Sequence, residues 1–209
     1  MKWEVETLEE ITVFITSGSR GWAKYYSIEG SNFIRITNLK RNQIDISTSD
    51  MKYVKLPKGV EGIRSKLNEG DLLISITADL GIIGIVSNDL GDSYINQHIA
   101  LVRLNSTKVS PTFIGYYYAS DFGQSSINLM NDGGAKAGLN LNTILKLPIL
   151  SLLKSEQDKI VQKIESNKAL IDSYENERSK LQRLKTGLMQ DLLSGKKRVT
   201  SLLNKEHVS

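Results

Sequence analysis

"EQDKIVQKIESNKALIDSYENERSKLQRLKTGLMQDLLSGKKRV", Glu156–Val199, decides how this chain is built. The stretch has no proline and its first glycine is Gly187, so nothing breaks a helix before its last turns. Ile160, Ile164, Asn167, Ile171, Tyr174, Arg178, Leu181, Lys185, Leu188 and Leu192 follow one another in alternating steps of four and three. That is a heptad-like seam with polar interruptions. Leu170, Leu184 and Met189 widen the apolar face. Asn167 and Arg178 suit the setting of register, and are equally compatible with plain imperfect packing. From 156 to 191 seven acids balance seven bases, so the helix is not a basic DNA-gripping one. About 39 residues at ~1.5 Å each give roughly 58 Å, whereas a domain of ~150 residues is only about 30 Å across. Propensity alone does not hold such a helix, and no segment elsewhere in the chain matches its length. The expected partner is another chain, with a homodimer of two copies as the leading reading. Ser155, with Asp158 three positions on, reads as the helix start, and "GKKRV" as a stop followed by a basic tail.

Composition narrows the rest. The chain has 209 residues, with 40% hydrophobic and 24% charged, ordinary for a globular protein. It has no cysteine and two histidines, His98 and His207, which argues against a disulfide framework or a metal centre. "MKWEVETLEE" lacks the apolar core of a signal peptide. "GDLLISITADLGIIGIV" is interrupted by Asp79 and is too short and glycine-rich to span a bilayer. A cytoplasmic protein with no membrane contact is expected. Residues 1–150 carry 15 Lys+Arg and 15 Asp+Glu, and residues 151–209 carry 12 and 8. The net charge of +4 therefore does not mark the N-terminal part as a polyanion binder. A local patch does: Arg20, Lys24, Arg35, Lys40 and Arg41 face only Glu29 between Ser19 and Arg41.

Along residues 1–150 the pattern is of short strands with a few helices. Thr7 suits the cap of a short helix over "LEEI", and "ITVFITSG" turns strand-like. "SGSRGWAKYYSIEGSN" is a polar, aromatic loop. "FIRITNL", "QIDIST", "KYVKL", "EGDLLISITADLG", "IIGIVSN" and "YINQHIALVRL" each read as a strand. Ser110 and Pro111 open a helix through "FIGYYYASDFGQSSINLM", "NDGGAKAGLN" is a loop, and "LNTILKLPIL" is a short helix or turn stopped at Pro148. The fold class is α+β: one mixed α/β domain over 1–150, then a long coiled-coil-forming helix and a short tail over 151–209.

Catalytic motifs do not emerge. "DGGAKAG" follows a helix rather than a strand and lacks G-K-[ST], so it is neither a nucleotide fingerprint nor a phosphate loop. "DMK" at 50–52 echoes nuclease carboxylates by three letters only. No G-x-S-x-G or His/Cys pair occurs.

"LPILSLLKSEQDKIVQKIES" and "LQRLKTGLMQDLLSGKKRV" resemble the conserved helical region of specificity (S) subunits of Type I restriction-modification systems. "SGSRGWAKYY", "FIRITNL", "GDLLISITADLGIIGIV", "NQHIALVRL" and the glycine loop before "LP" resemble their target recognition domain. The resemblance covers nearly the whole chain, but such subunits usually carry two recognition domains and two conserved helices, and this chain carries one of each. It implies a non-catalytic reader of double-stranded DNA, with helices paired antiparallel as a ruler. Methyltransferase (M) subunits would dock on the helices and motor-nuclease (R) subunits join through them. The chain would need no cofactor or metal of its own, because S-adenosylmethionine and ATP belong to those partners. Two alternatives share these residues: an adaptor that binds M subunits without reading DNA, and a detached recognition domain of a fused restriction-methylation enzyme.

For DNA contact the candidates are Ser19, Arg20, Trp22, Lys24, Tyr25 and Tyr26, where cations alternate with aromatics as phosphate and base-edge contact require. Trp22 is the one among them best suited to the core. Lys40 and Arg41 suit phosphates, or simply an exposed turn. Thr77 and Asp79 could meet base edges, Asp accepting from cytosine N4, or Asp79 could form the turn before Gly81. Gln97 and His98 offer groups for bases, or for hydrogen bonds within the fold. Lys136 sits in the glycine loop. For dimerisation the candidates are Ile160, Ile164, Asn167, Ile171, Tyr174, Arg178, Leu181, Leu188 and Leu192.

Overall fold

A computed structural model describes residues 4–56, 61–131 and 138–199. The chain divides into two compact units, residues 1–161 and 162–209. The first unit begins with β1 (Val5–Thr7), α1 (Leu8–Ile11), β2 (Thr12–Ser17), β3 (Tyr26–Ser27), β4 (Ser31–Ile34) and β5 (Lys52–Val54). β6 (Leu72–Ser75), β7 (Ile83–Ile85), β8 (Ser93–Ile95) and β9 (Ile99–Leu104) come next. Then come α2 (Pro111–Ala119), α3 (Asp121–Asn131), α4 (Leu141–Leu145), β10 (Pro148–Leu150) and the start of α5 (Lys154–Leu193). The class is the expected one, a mixed α/β domain followed by a long C-terminal helix.

An antiparallel sheet in the order β2-β9-β6-β7 forms the centre. Its inner strands are buried on both faces. Leu72, Ile74, Ala100 and Val102 pack with Phe113, Ile114 and Tyr118 of α2 and Ile127 of α3. Leu73, Ile99 and Leu101 point the other way, to Ile34, Leu39 and Ile95. Successive strand residues face opposite sides. Because both sides are covered, "DLLIS" and "IALV" read as continuous apolar runs rather than as alternation. A second sheet, β3-β5-β4-β8, has β4 parallel to β8 and carries a smaller cluster of Trp22, Phe33, Val54 and Tyr94. Between the inner strands of the first sheet, Arg103 grips Asp71 through Nε and Nη2 at 2.8 and 2.7 Å. Asp71 is only 1% exposed and also accepts the Asn68 N–H at 2.7 Å. That hydrogen-bonded carboxylate pushes the Arg103 guanidinium further up.

Several elements depart from expectation, each for a local reason. "FIRITNL" stops being a strand at Ile34 and closes into a 3-10 turn over Ile36–Asn38. Asn38 is buried there, accepting the Arg35 N–H at 3.0 Å and donating to the Ser47 carbonyl at 2.9 Å. "QIDIST" forms no strand. "YINQHIALVRL" is broken at Asn96–His98 into β8 and β9. The helix after Ser110 splits at Ser120, whose extended backbone ends α2. The corner is tight enough that a Cβ on Gly123 would lie 2.2 Å from the Tyr117 carbonyl oxygen. Pro148 does not merely stop α4: it enters β10, which pairs antiparallel with β1. The "DMK" carboxylate, Asp50, is an ion-pair partner of Arg35 at 2.7 Å and of Lys52 at 3.4 Å.

α5 runs 40 residues, about 60 Å at ~1.5 Å per residue. It starts at Lys154, one residue before the expected cap, and Lys154 pairs with Asp158 at 3.0 Å. Its first two turns belong to the first unit. Gln157, 1% exposed, accepts the Ser110 N–H at 2.8 Å and donates to the Leu152 carbonyl at 2.9 Å. Ile160, expected on the dimer seam, packs with Val161 against the main core of that unit.

The second unit opens at Gln162 and holds the remainder of α5. There Ile171, Tyr174, Leu181 and Leu188 are 57%, 63%, 56% and 48% exposed, an apolar stripe in water. Gly195 ends the helix in the left-handed conformation, φ 72°, as a helix stop requires. Among the described residues no helix is long and apolar enough to cross a membrane.

Gln157→Ala strips the buried Ser110 N–H of its acceptor. The expected loss is about 1–3 kcal/mol of stability, measured by urea unfolding of the whole chain. An unchanged midpoint would mean that this contact does not fasten α5 to the domain.

Candidate nucleic-acid interface

Where β2 ends, the chain comes too close to another segment for any side chain. Gly18 donates its N–H to the Ile99 carbonyl at 3.3 Å. A Cβ on Gly18 would lie 2.2 Å from the Asn96 carbonyl oxygen and 2.3 Å from that of Ile95. The loop after β2 is therefore pressed onto the Asn96–His98 turn. Three residues on, Gly21 takes φ 86° and opens a 3-10 turn over Trp22–Tyr25. That turn drives Trp22 inward to 5% exposure, 4.7 Å from the Phe33 ring and 5.6 Å from the Tyr94 ring. Arg20 and Lys24, on either side, are left exposed.

Ser17, Gly18, Ser19 and Arg20 line an open cleft with Arg64, Thr77, Gln97 and His98. Among the described residues no carboxylate lines it. Arg64 donates to Ser19 Oγ at 3.4 Å across 45 residues of sequence. Thr77 Oγ1 meets His98 Nδ1 at 2.6 Å, and the Gln97 amide nitrogen meets His98 Nε2 at 2.9 Å. The turn that carries them is fixed by its backbone. Asn96 N–H donates to Ile34 O at 3.1 Å, His98 N–H to Asn96 Oδ1 at 3.1 Å, and Ile76 N–H to His98 O at 2.9 Å. An adjoining recess is formed by Ser19, Arg20, Gly21, Trp22, Lys24 and Tyr25, with the Lys24 ammonium 4.9 Å from the Tyr25 ring centre.

Ion pairing sorts the cations. Lys55 pairs with Glu29 at 2.7 Å, Lys66 with Asp92 at 2.7 Å, and Arg35 and Lys52 with Asp50. The Lys66 ammonium and the Ser31 hydroxyl hold the Asp92 carboxyl below the usual carboxylate range. Arg35, then Lys52, does the same to Asp50. Arg20, Lys24 and Arg64 have no carboxylate at ion-pair distance among the described residues. Unpaired cations beside neutral donors and acceptors can hold a phosphate backbone while hydrogen-bonding groups reach an edge.

The structure thus gathers Ser19, Arg20, Thr77, Gln97 and His98 in one cleft, with Lys24 and Tyr25 in the recess beside it. Trp22 lies in the core instead, because its indole completes the Phe33–Tyr94 cluster. Tyr26 is 47% exposed on β3, edge-on to Phe33. Arg41 and Asp79 are bound to each other, and Arg41 also donates to Gln124 Oε1 at 2.9 Å and Leu80 O at 3.0 Å. The Arg41 charge and the Asp79 carboxylate thus meet each other on the surface, both about half exposed. Lys40 beside them is exposed, and Lys136 lies outside the described residues. Arg64 is the residue that sequence reading missed. It sits in a turn region, and nothing local connects it to Ser19.

Gly18→Ala forces the loop off the Asn96–His98 turn or strains both. A cost of about 1–3 kcal/mol is expected, the range for overpacking, read by thermal and denaturant unfolding. Full stability in this variant would show that the loop yields freely and that the cleft is not rigidly built.

None of the known protein-family models matches this chain. It is 25% identical over 153 residues to the Type I restriction enzyme EcoBI specificity subunit of Escherichia coli, covering 71% of this chain and 31% of that protein. In fold it is similar to a chain from a structure of the type I R-M system, with TM-score 0.62 and 17% identity over 90% of this chain and 45% of that one. It is also similar to the HsdS subunit from Thermoanaerobacter tengcongensis, with TM-score 0.59 and 15% identity over 90% and 44%. A third likeness is to the S subunit of the Type-I restriction-modification system from M. genitalium, with TM-score 0.55 and 16% identity, again over 90% and 44%. The chain spans about a third of the curated relative and under half of the solved subunits. In sequence and in fold it resembles half of a Type I restriction-modification specificity subunit.

Proposed function

We propose that this chain is a DNA-recognition module of the Type I specificity kind, non-catalytic itself, which reads a short stretch of double-stranded DNA through the cleft at Gly18. The observation that carries this reading is the presence on one surface of Arg20 and Arg64, without a carboxylate partner among the described residues, beside the hydrogen-bonding groups of Thr77, Gln97 and His98. It occurs in a chain similar to a Type I specificity subunit. The cations supply sequence-independent affinity and position the duplex, while the neutral groups meet base edges.

The half-exposed stripe of Ile171, Tyr174, Leu181 and Leu188 supports pairing with a second copy. Burying it against the same stripe removes apolar surface from water from both chains. In an antiparallel pair each recognition domain precedes the start of its own helix, so the domains sit at opposite ends. Helix length then sets the gap between two half-sites. Methyltransferase subunits dock on this pair and restriction subunits join through them, bringing the S-adenosylmethionine and ATP chemistry with them.

DNA binding by point variants tests the cleft. Arg20→Ala and Arg64→Ala are each expected to weaken binding. For a pure phosphate contact the loss is equal on all sequences, and the salt slope falls by about one. For a guanine contact it is about 1–3 kcal/mol and confined to the preferred sequence. A double variant that binds every duplex as the parent does removes the cleft from the interface.

A further inference from the structure

Gln97, His98 and Thr77 form a chain of hydrogen bonds that holds the Gln97 amide at the cleft. The Gln97 amide nitrogen donates to His98 Nε2 at 2.9 Å. An imidazole that accepts at Nε2 carries its proton on Nδ1, and Nδ1–H then donates to Thr77 Oγ1 at 2.6 Å. The ring is held at both nitrogens. The backbone on either side is held too, through Asn96 and Ile76. One amide hydrogen of Gln97 is consumed. Its other hydrogen and its carbonyl oxygen have no partner among the described residues, and Gln97 lines the cleft with the unpaired Arg20 and Arg64.

An amide showing one free donor beside one free acceptor in a plane matches one major-groove pattern. Adenine offers an N7 acceptor next to an N6–H donor, whereas guanine offers two acceptors, N7 and O6. Resting on the proposal that the cleft reads DNA, we infer that Gln97 reads an adenine in each half-site, with His98 and Thr77 as positioning residues that hold its amide in the adenine-reading orientation. Thr77 holds the His98 ring at Nδ1, and the ring in turn holds the Gln97 amide. Thr77 and His98 act through Gln97 and need not touch DNA.

The experiment is selection of bound duplexes from a randomised library by the intact chain and three variants, with affinity on unrelated DNA measured in parallel. Wild-type protein should enrich an A·T pair at a fixed position of the half-site. Gln97→Ala should lose that preference by about five- to 150-fold, the value of one bidentate base contact, and keep the other positions. Thr77→Val, nearly isosteric but without the hydroxyl, should relax the same position alone, and Thr77→Ser should restore it. Loss confined to this one position, and rescued by Thr77→Ser, separates positioning from a general structural role. An unchanged preference in Gln97→Ala, relaxation at a G·C position, or uniform weakening across all positions by Thr77→Val overturns the adenine assignment while leaving DNA reading intact. A wild-type chain that enriches no sequence at all overturns both.

Discussion

The cleft depends on a contact that leaves no room for a methyl group. Gly18 lies against the carbonyls of Ile95 and Asn96, so the loop after β2 cannot stand away from the turn between β8 and β9. That single approach brings residues 17–20 beside Gln97 and His98, and Thr77 and Arg64 close the same cleft. Burial of Trp22 a few residues later anchors the loop from its other side. Between the two anchors Arg20 has nowhere to go but outward. The loop owes its shape to sterics and one aromatic cluster rather than to its own hydrogen bonds.

Charge completes the site by elimination. Residues 1–150 hold equal numbers of acids and bases, yet the acids are not spread evenly over the bases. Asp50, Asp92, Asp71, Glu29 and Asp79 each engage a cation in the fold, and Asp50 and Asp92 are held below the usual carboxylate range by theirs. Arg20, Lys24 and Arg64 near Gly18 have no carboxylate at ion-pair distance among the described residues. A neutral domain with a local unpaired patch steers a polyanion weakly at long range, because exposed charges are screened within about 8–10 Å. In the proposed role it would gain most of its electrostatic affinity at contact, as bound counterions leave the phosphates.

Much of this was legible in the sequence, and the exceptions share a cause. The long helix was readable because its signal is local and repeats over many turns. The α+β class came from short apolar runs separated by glycine and polar turns. The break of "YINQHIALVRL" at Asn96–His98 was not readable, since the residues that pin the turn, Ile34 and Ile76, lie elsewhere in the chain. "FIRITNL" reads as a strand by alternation, and only the buried amide of Asn38 bends it into a 3-10 turn. At the cleft, the loop cations and the Gln97–His98 pair stood out by residue type. Arg64 did not, and neither did the mutual binding of Arg41 and Asp79, because both are set by tertiary approach. Ile160 fits the heptad seam in phase, but its own domain reaches the helix first.

The helix gives the single cleft a counterpart. In the proposed pairing, forty residues of continuous helix with a half-exposed apolar stripe meet a copy of themselves, and a two-fold axis between copies would turn one reader into two facing opposite ways. The most direct test is the consensus that the intact chain enriches from fully randomised duplex DNA. Two readers on one axis predict two copies of one short half-site in inverted orientation, separated by a fixed unread spacer. A single uninterrupted site, two half-sites in direct repeat, or no enrichment would contradict that pairing.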